Sequence, residues 1–519
     1  MRTRTSQTVS PAADSLQGTG WLFPLAFLLA GGLFLAQGRI GFDLADEGFL
    51  WYGAVRTAHG GVPLADFYSY DPGRYLWAAG WARLLGDGIL ALRLSTAVFA
   101  ALGLFLGLLA ARRAVAGRGA LLLVGVLLAL WMFPRHKLFE TSLTMAAVYM
   151  AVRLLERPTR RTWFAAGVAT GLAAFFGKNH GLYWGLACLG LLLFLQLRGE
   201  GSEWGRSARH LLAWLAGIVA GSLPLLVMML AIPGFFRAYL DSILFFLAQG
   251  RTNAPLPVPW PWRATGGGQL ALGISFLFLP LVYLLTAVVV WRTDAQGLAR
   301  RRLLVAAGFT GVFYLHHAFS RADAAHLGQS IHPALLAALA LPLAWETRGR
   351  RLAAGLVAAL LAGLTLGAAL PESPLYRRLA GERRGVRYVP SDIAGDRLLL
   401  PADQAAGLMG IRSAVRARLA PAEPLLILPY YPGLYPFLGR TAPIWDTYAI
   451  WPAKGGSDER RLAELAARGV RWELAGDYDQ PGWQGFRANH PALAGYLARR
   501  FAPVAAPELP PHFMLLERR

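Results

Sequence analysis

The sequence predicts an all-α polytopic membrane domain of about 11 transmembrane helices with interfacial helices, followed by a C-terminal extracytoplasmic α/β domain. Three observations carry this expectation. Apolar blocks of roughly 16–23 residues recur between 21 and 370, close to the ~20 residues that cross ~30 Å of hydrocarbon. The connections between blocks alternate between short Arg-rich runs and a second, more varied set. Beyond 371 the long apolar blocks stop, while charged residues, Pro and Tyr increase.

The spans read at 21–38, 88–110, 119–134, 138–155, 162–177, 181–197, 209–231, 269–291, 301–318, 329–345 and 351–370. ARRAVAGRG (111–119), RLLERPTRR (153–161), RGEGSEWGRSARH (198–210), WRTDAQGLARRR (291–302) and ETRGRR (346–351) are the Arg-rich connections. The positive-inside rule assigns them to the cytoplasm, together with the N-terminal tail 1–20 carrying Arg2 and Arg4. That tail is polar up to the first span and does not resemble a cleavable signal peptide. The remaining connections, 39–87, PRHKLFE (134–140), GKNHG (177–181), 232–268 and SRADAAHLGQSIH (320–332), then face outward. Eleven spans that start inside finish outside, which makes 371–519 extracytoplasmic.

Segment 39–87 carries two helical patterns. EGFLWYGAVRTA and PGRYLWAAGWARLLG each gather apolar and aromatic residues on one side, as helices lying in the membrane interface do. The proline-rich NAPLPVPWPW (253–262) suggests another interfacial element. In the tail, PLLILPYY, VRWELAG and HFMLLERR read as strands and RRLAELAARG as a helix, an alternation that suggests an α/β domain.

Composition excludes several classes. Charged residues make up 16% and hydrophobic ones 55%, with a mean hydropathy of +0.41, where soluble chains hold about 25% charged residues. The net charge of +21 is spread in clusters between apolar blocks rather than gathered in one patch, so no nucleic-acid partner is expected; the partner is the lipid bilayer. The single cysteine, Cys188, lies within an apolar block and forms neither an intrachain disulfide nor a thiolate metal site.

The unusual polar residues near the membrane fall on the outward connections: Asp43, Asp46, Glu47, Asp71, His136, Lys137, Glu140, Lys178, His180, Arg321, Asp323 and His326. Charges at this depth are costly and mark routes for substrate or ions. Each also has a plainer reading. Asp46 suits a helix N-cap with Glu47 favoured by the dipole, and Asp71 in YSYDPG suits a turn before proline. Arg135 and Lys137 suit cations that snorkel to headgroups. Glu140, just inside an apolar helix, is harder to explain structurally, and Lys178 suits either headgroups or a dedicated phosphate. Asp323 and His326, spaced i, i+3, share one helical face, as a local ion pair or half of a metal site would. His316 and His317 end an apolar span and read as packed or interfacial. Tyr430, Tyr431, Tyr435 and Trp445 either stack on a sugar or pack a core, the latter being preferred.

An outward pocket combining carboxylates with Lys and Arg suits a polyprenyl-phosphate sugar. A carboxylate deprotonates the acceptor while cations stabilise the departing phosphate. The order DE…Y after the first span, the proline-led segment ending in LLG and then ALRLSTAVFAALGLFLGLLAARR resemble the GT-C membrane glycosyltransferases. The branch is that of the protein O-mannosyltransferases and lipid A aminoarabinose transferases. PRHKLFETSLTMAAVYMAVRLLERPTRRTWFAAGVATGLAAFFGKNHGLYW is similar to the family's next segment, and PLLILPYYPGLYPFLGRTAPIWDTYAI to the extracytoplasmic domain of bacterial members.

The resemblance implies a transmembrane catalytic domain over 21–370 and transfer with inversion to an outer-face acceptor (lipid, glycan or protein) at a bacterial cytoplasmic membrane. It places the base or acceptor-positioning acid on Asp46 with Glu47 beside it, a second acid on Glu140 and the phosphate lysine on Lys178. Asp71 or Tyr70 falls where some members carry a carboxylate, which leaves a divalent metal ion open. Arg321 is assigned to the donor phosphate, with His180, Asp323 and His326 as further substrate-binding residues. Two other functions fit the composition: a transporter or lipid flippase, and a surface-polysaccharide polymerase or ligase. The halves of the chain show no internal symmetry of the kind many transporters have.

Overall fold

In the computed structural model, residues 18–198, 204–250, 252–345, 347–453, 456–478 and 485–519 are described. Arg2, Arg4 and most of the predicted N-terminal tail lie outside the described residues, as does 199–203 of one Arg-rich connection.

Helices fill the first three quarters of the chain: α1 (Leu22–Gln37), α2 (Asp46–Ala58), α3 (Pro72–Leu85), α4 (Ile89–Ala111), α5 (Arg118–Leu130), α6 (Leu138–Glu156), α7 (Arg160–Phe176), α8 (Lys178–Leu197), α9 (Trp204–Gly221), α10 (Leu223–Ala231), α11 (Phe235–Gln249), α12 (Gly267–Trp291), α13 (Ala295–Arg300), α14 (Arg302–Ser320), α15 (Ala324–Ser330), α16 (His332–Ala340), α17 (Thr347–Leu364) and α18 (Pro374–Arg383). Every predicted apolar segment is helical, but only six helices among the described residues are long and apolar enough to cross a membrane. The count reaches eight if two bent pairs are each one span. One pair, α9–α10, bends by 50° and the other, α15–α16, by 55°. Each resumes at a proline, Pro224 or Pro333, within its first turn, where the ring interrupts the preceding hydrogen-bond ladder. The difference from eleven lies in α1, α5 and α7, with 16, 13 and 17 residues, which at 1.5 Å per residue reach only about 24, 20 and 26 Å.

Packing in the bundle uses small residues. A Cβ on Gly167 would lie 2.0 Å from the Trp214 carbonyl oxygen, and one on Gly221 would lie 2.1 Å from that of Val168. Gly167 and Gly171 on α7 thus face Gly217 and Gly221 on α9, the small-xxx-small spacing that lets two backbones touch in lipid.

After α18 the chain forms a hairpin of β1 (Tyr388–Ile393) and β2 (Asp396–Pro401), then α19 (Ala402–Arg418), β3 (Leu425–Leu428), α20 (Leu434–Leu438), α21 (Ser457–Ala467), β4 (Trp472–Ala475), α22 (Phe486–Asn489), α23 (Pro491–Arg500), β5 (Phe501–Val504) and β6 (Met514–Arg518). The second sheet has the order β3-β4-β6-β5, with β3 parallel to β4 and the other pairs antiparallel. β3 and β4 are buried along their whole length, as strands covered on both faces must be.

This C-terminal unit is bonded to the segment after α1. Leu399 N–H donates to Arg39 O at 2.7 Å and its carbonyl accepts from Gly41 N–H at 2.8 Å. Gln404 donates to Phe42 O at 2.7 Å, Gly433 N–H to Leu44 O at 3.0 Å, and the Trp445 indole to Leu64 O at 3.0 Å. Leu50, Trp51 and Tyr52 of α2 share one core with Leu398, Ile427, Leu434 and Tyr435. α2 is therefore an interior helix, not the interfacial one its pattern predicts: the face expected to meet lipid meets the C-terminal unit. α3 does expose Leu76, Leu84 and Leu85.

Candidate active site

The acidic start of α2 divides its tasks among three carboxylates. Asp43 accepts from Ala45 N–H at 2.9 Å and Glu47 N–H at 3.4 Å, and so serves the orphan amides of the helix start. Asp46 is thereby released from the capping role its position suggests; it begins the helix with a side chain 47% exposed. Its Oδ1 accepts from the Tyr430 hydroxyl at 2.8 Å, and its Oδ2 lies 4.0 Å from His136 Nε2. Burial pushes this carboxyl up, but His136, Lys137 and the Tyr430 hydroxyl outweigh it and hold Asp46 below the usual range.

Glu47 points the other way and does not line the cavity described below, contrary to the catalytic role expected beside Asp46. It accepts from Arg93 Nε and Nη2, both at 2.8 Å, and pairs with Arg135 Nε at 2.7 Å, with its side chain 2% exposed. Both arginines also donate to backbone: Arg93 to Gly38 O and Gly41 O, Arg135 to Ile40 O and Gly41 O. Arg135 is thus a clamp on the chain between α1 and α2, not a snorkelling cation. The i, i+1 spacing of Asp46 and Glu47 explains the split, since adjacent helical residues diverge by ~100°.

Opposite Asp46, three ion pairs ring the space. Arg74 Nη1 donates to Glu140 Oε1 at 2.7 Å, and Lys137 Nζ lies 3.8 Å from the same oxygen. Glu140 Oε2 is buried without a hydrogen-bond partner among the described residues. Asp71 stands at the N-cap of α3 without capping it; its carboxylate instead takes the Lys178 amide and ammonium, each at 2.9 Å. The Lys137 ammonium sits 3.8 Å over the Tyr70 ring. In the third pair Arg321 Nε donates to Asp323 Oδ2 at 2.7 Å, and Asp323 Oδ1 meets His326 Nδ1 at 2.8 Å, which directs His326 Nε2 outward from the pair. Burial opposes the Asp323 charge, but His326 and Arg321 outweigh it and bring its carboxyl down to about 2.

These groups line one cavity of about 640 Å³, with contributions from all five connections assigned outward. It brings together Asp46, Tyr70, Asp71, Glu140, Lys178, His180, Arg321, Asp323 and His326, leaving out Glu47 alone of the predicted site residues. Sequence reasoning missed Arg74, which reads as one more helical arginine, and set Lys137 aside as a surface cation. It reads His317, bonded to Gln329 at 3.1 Å, and Tyr430 as packing residues, whereas both line the cavity, and it misses Tyr448 and Trp451, which with Tyr430 form the wall that the C-terminal unit supplies. Tyr435 and Trp445 are packed as preferred: the Tyr435 hydroxyl accepts from Ile427 N–H at 3.0 Å. Among the described residues no three His, Cys, Asp or Glu side chains converge as metal ligands. With Asp71 and Glu140 each held by cations, this donor set does not fit a resident divalent ion.

Chemically, the cavity offers one carboxylate held by a neutral hydroxyl and left open, facing cations already balanced by acids. A proton can be taken at Asp46, and an anion can be received near Lys137, Lys178 and Arg321 if it displaces a resident carboxylate.

Neither a protein-family model nor a curated protein sequence matches the chain. Solved structures do. ArnT from Cupriavidus metallidurans aligns in its apo state with a TM-score of 0.51 at 15% identity, over 96% of this chain and 98% of that one. The same protein bound to undecaprenyl phosphate aligns with a TM-score of 0.50, again at 15% identity over 96% and 98%. An oligosaccharyltransferase from Archaeoglobus fulgidus gives 0.46 at 12% identity, over 88% of this chain and 68% of that one. At such identities the likeness is one of architecture, and it runs from end to end: the chain shares the fold of ArnT.

Proposed function

We propose that the chain is an integral-membrane glycosyltransferase that moves a sugar from a polyprenyl-phosphate donor to an acceptor on the outer face of a bacterial cytoplasmic membrane. One observation carries the reading: a single cavity unites the open carboxylate of Asp46 with Lys137, Lys178 and Arg321 where all the outward-assigned connections meet. The ArnT structure that holds undecaprenyl phosphate on the same fold supports a lipid-phosphate donor. In this reaction Asp46 removes the proton of the acceptor hydroxyl or amine as it attacks the anomeric carbon. The bond from that carbon to the phosphate oxygen breaks, its electrons stay with the phosphate, and the configuration inverts. Lys178 and Arg321 receive the leaving phosphate, and Glu140 fixes Arg74 and Lys137 at the floor of the site. The N-terminus is then cytoplasmic and 371–519 extracytoplasmic. The acceptor is a lipid, glycan or protein.

The test is incubation of the purified protein with radiolabelled polyprenyl-phosphate sugars and membrane extract, followed by separation of labelled products. Transfer from at least one donor is expected; no transfer from any member of a panel spanning hexoses and pentoses overturns the reading. Lys178→Gln is expected to lower kcat/KM for the active donor by about 10²-fold, the scale of losing one charge-stabilising donor, in steady-state assays with the donor varied.

A further inference from the structure

Among the residues with which the C-terminal unit lines the cavity, Tyr430 is bonded to Asp46. Tyr430, 384 residues along the chain from Asp46, donates its hydroxyl to Asp46 Oδ1 at 2.8 Å while remaining 2% exposed. Three features fix that hydroxyl. The Tyr430 ring packs edge-on against Tyr448, with centroids 4.4 Å apart. Three residues on, Gly433 N–H is bonded to Leu44 O at 3.0 Å. Finally, the two backbones touch: a Cβ on Gly48 would sit 2.5 Å from Gly433 N, and one on Gly433 would sit 2.9 Å from Gly48 Cα. Two glycines thus seat the tyrosine loop against the first turn of α2.

We propose that Tyr430 is a positioning residue for the transfer: it pins Asp46 Oδ1, turns Oδ2 toward the acceptor and keeps the carboxylate charged, so that the C-terminal unit completes the active site rather than merely covering it. This rests on the reading of Asp46 as the base. A hydrogen bond to the charged form of a carboxyl favours that form. Burial and the neighbouring Asp46 charge push the Tyr430 hydroxyl well above the usual phenol range, which keeps it a donor.

The experiment is the pH profile of kcat/KM for Tyr430→Phe in the full-length protein, once an active donor is known. Losing the hydroxyl raises the folded pKa of Asp46, so its active, deprotonated form is lost earlier as pH falls. The acid limb is expected to move up by about one pH unit, with turnover on that limb about tenfold lower and recovery at higher pH. Gly433→Ala keeps the hydroxyl but unseats its loop, and is expected to move the limb in the same direction. Thermal unfolding of both variants in detergent separates a displaced limb from a misfolded chain: a limb shift with the melting curve retained supports the proposal. Wild-type-like limbs in both folded variants overturn it while leaving the base assignment intact. An inactive Asp46→Asn beside unshifted Tyr430→Phe separates the two claims, whereas an active Asp46→Asn ends both.

Discussion

Asp46→Asn is expected to cut transfer by about 10²–10⁴-fold, the contribution of a positioned general base, while the protein expresses, inserts and melts as the wild type does. The second half of that expectation follows from the geometry. Asparagine keeps an oxygen for the Tyr430 hydroxyl, and the capping bonds at the start of α2 come from Asp43, not Asp46. The side chain is also 47% exposed, so the new amide stays open to solvent. Transfer and thermal unfolding are measured on the same preparation; near-normal turnover removes the base assignment.

The largest effect on stability is expected one residue later. Glu47→Ala leaves Arg93 without its carboxylate, with an arginine side chain only 2% exposed, and strips Arg135 of the same partner. Breaking a buried ion pair from one side costs about 3–5 kcal/mol, enough to lower the melting temperature markedly and to loosen the chain between α1 and α2. The same group ties stability to acid. Burial works against the Glu47 charge, but Arg135 and Arg93 outweigh it and bring its carboxyl from 4.5 down to about 2. An acid depressed in the folded state contributes fully above its unfolded pKa and ceases to contribute as pH falls through the folded one. Between pH 4.5 and about 2 the wild type is expected to lose stability more steeply than Glu47→Gln, as followed by melting temperature against pH. Equal slopes in the two proteins reject the assignment.

Much of this was legible in the chain. Apolar blocks and Arg clusters follow from the physics of a bilayer, and they locate every described helix long and apolar enough to cross a membrane. They also sort the polar residues to one end, which is why nine of the ten predicted site residues meet in a single cavity. What stayed hidden depends on partners distant in sequence. Nothing in DLADEG tells Asp46 from Glu47; the distinction is made by Arg93 and Arg135, brought in from α4 and from the turn before α6. Arg74 becomes a site residue only through Glu140, 66 positions away. α2 reads as interfacial because its amphipathic pattern is the same whether the apolar side meets lipid or protein. The hairpin β1–β2 is hidden in the sequence because RYVPSDIAGDRLLLP carries proline and charge where a lone strand would alternate cleanly.

The bonds between 39–45 and 399–433 also set a timetable for synthesis. A ribosome adding ~5–20 residues per second reaches Tyr430 about 20–80 s after Asp46, given the 384 positions between them. Throughout that interval the core around α2 lacks its C-terminal members and Asp46 lacks the Tyr430 hydroxyl. The cavity is therefore completed last, when the C-terminal end docks, and a chain cut short before that moment lacks the wall of Tyr430, Tyr448 and Trp451.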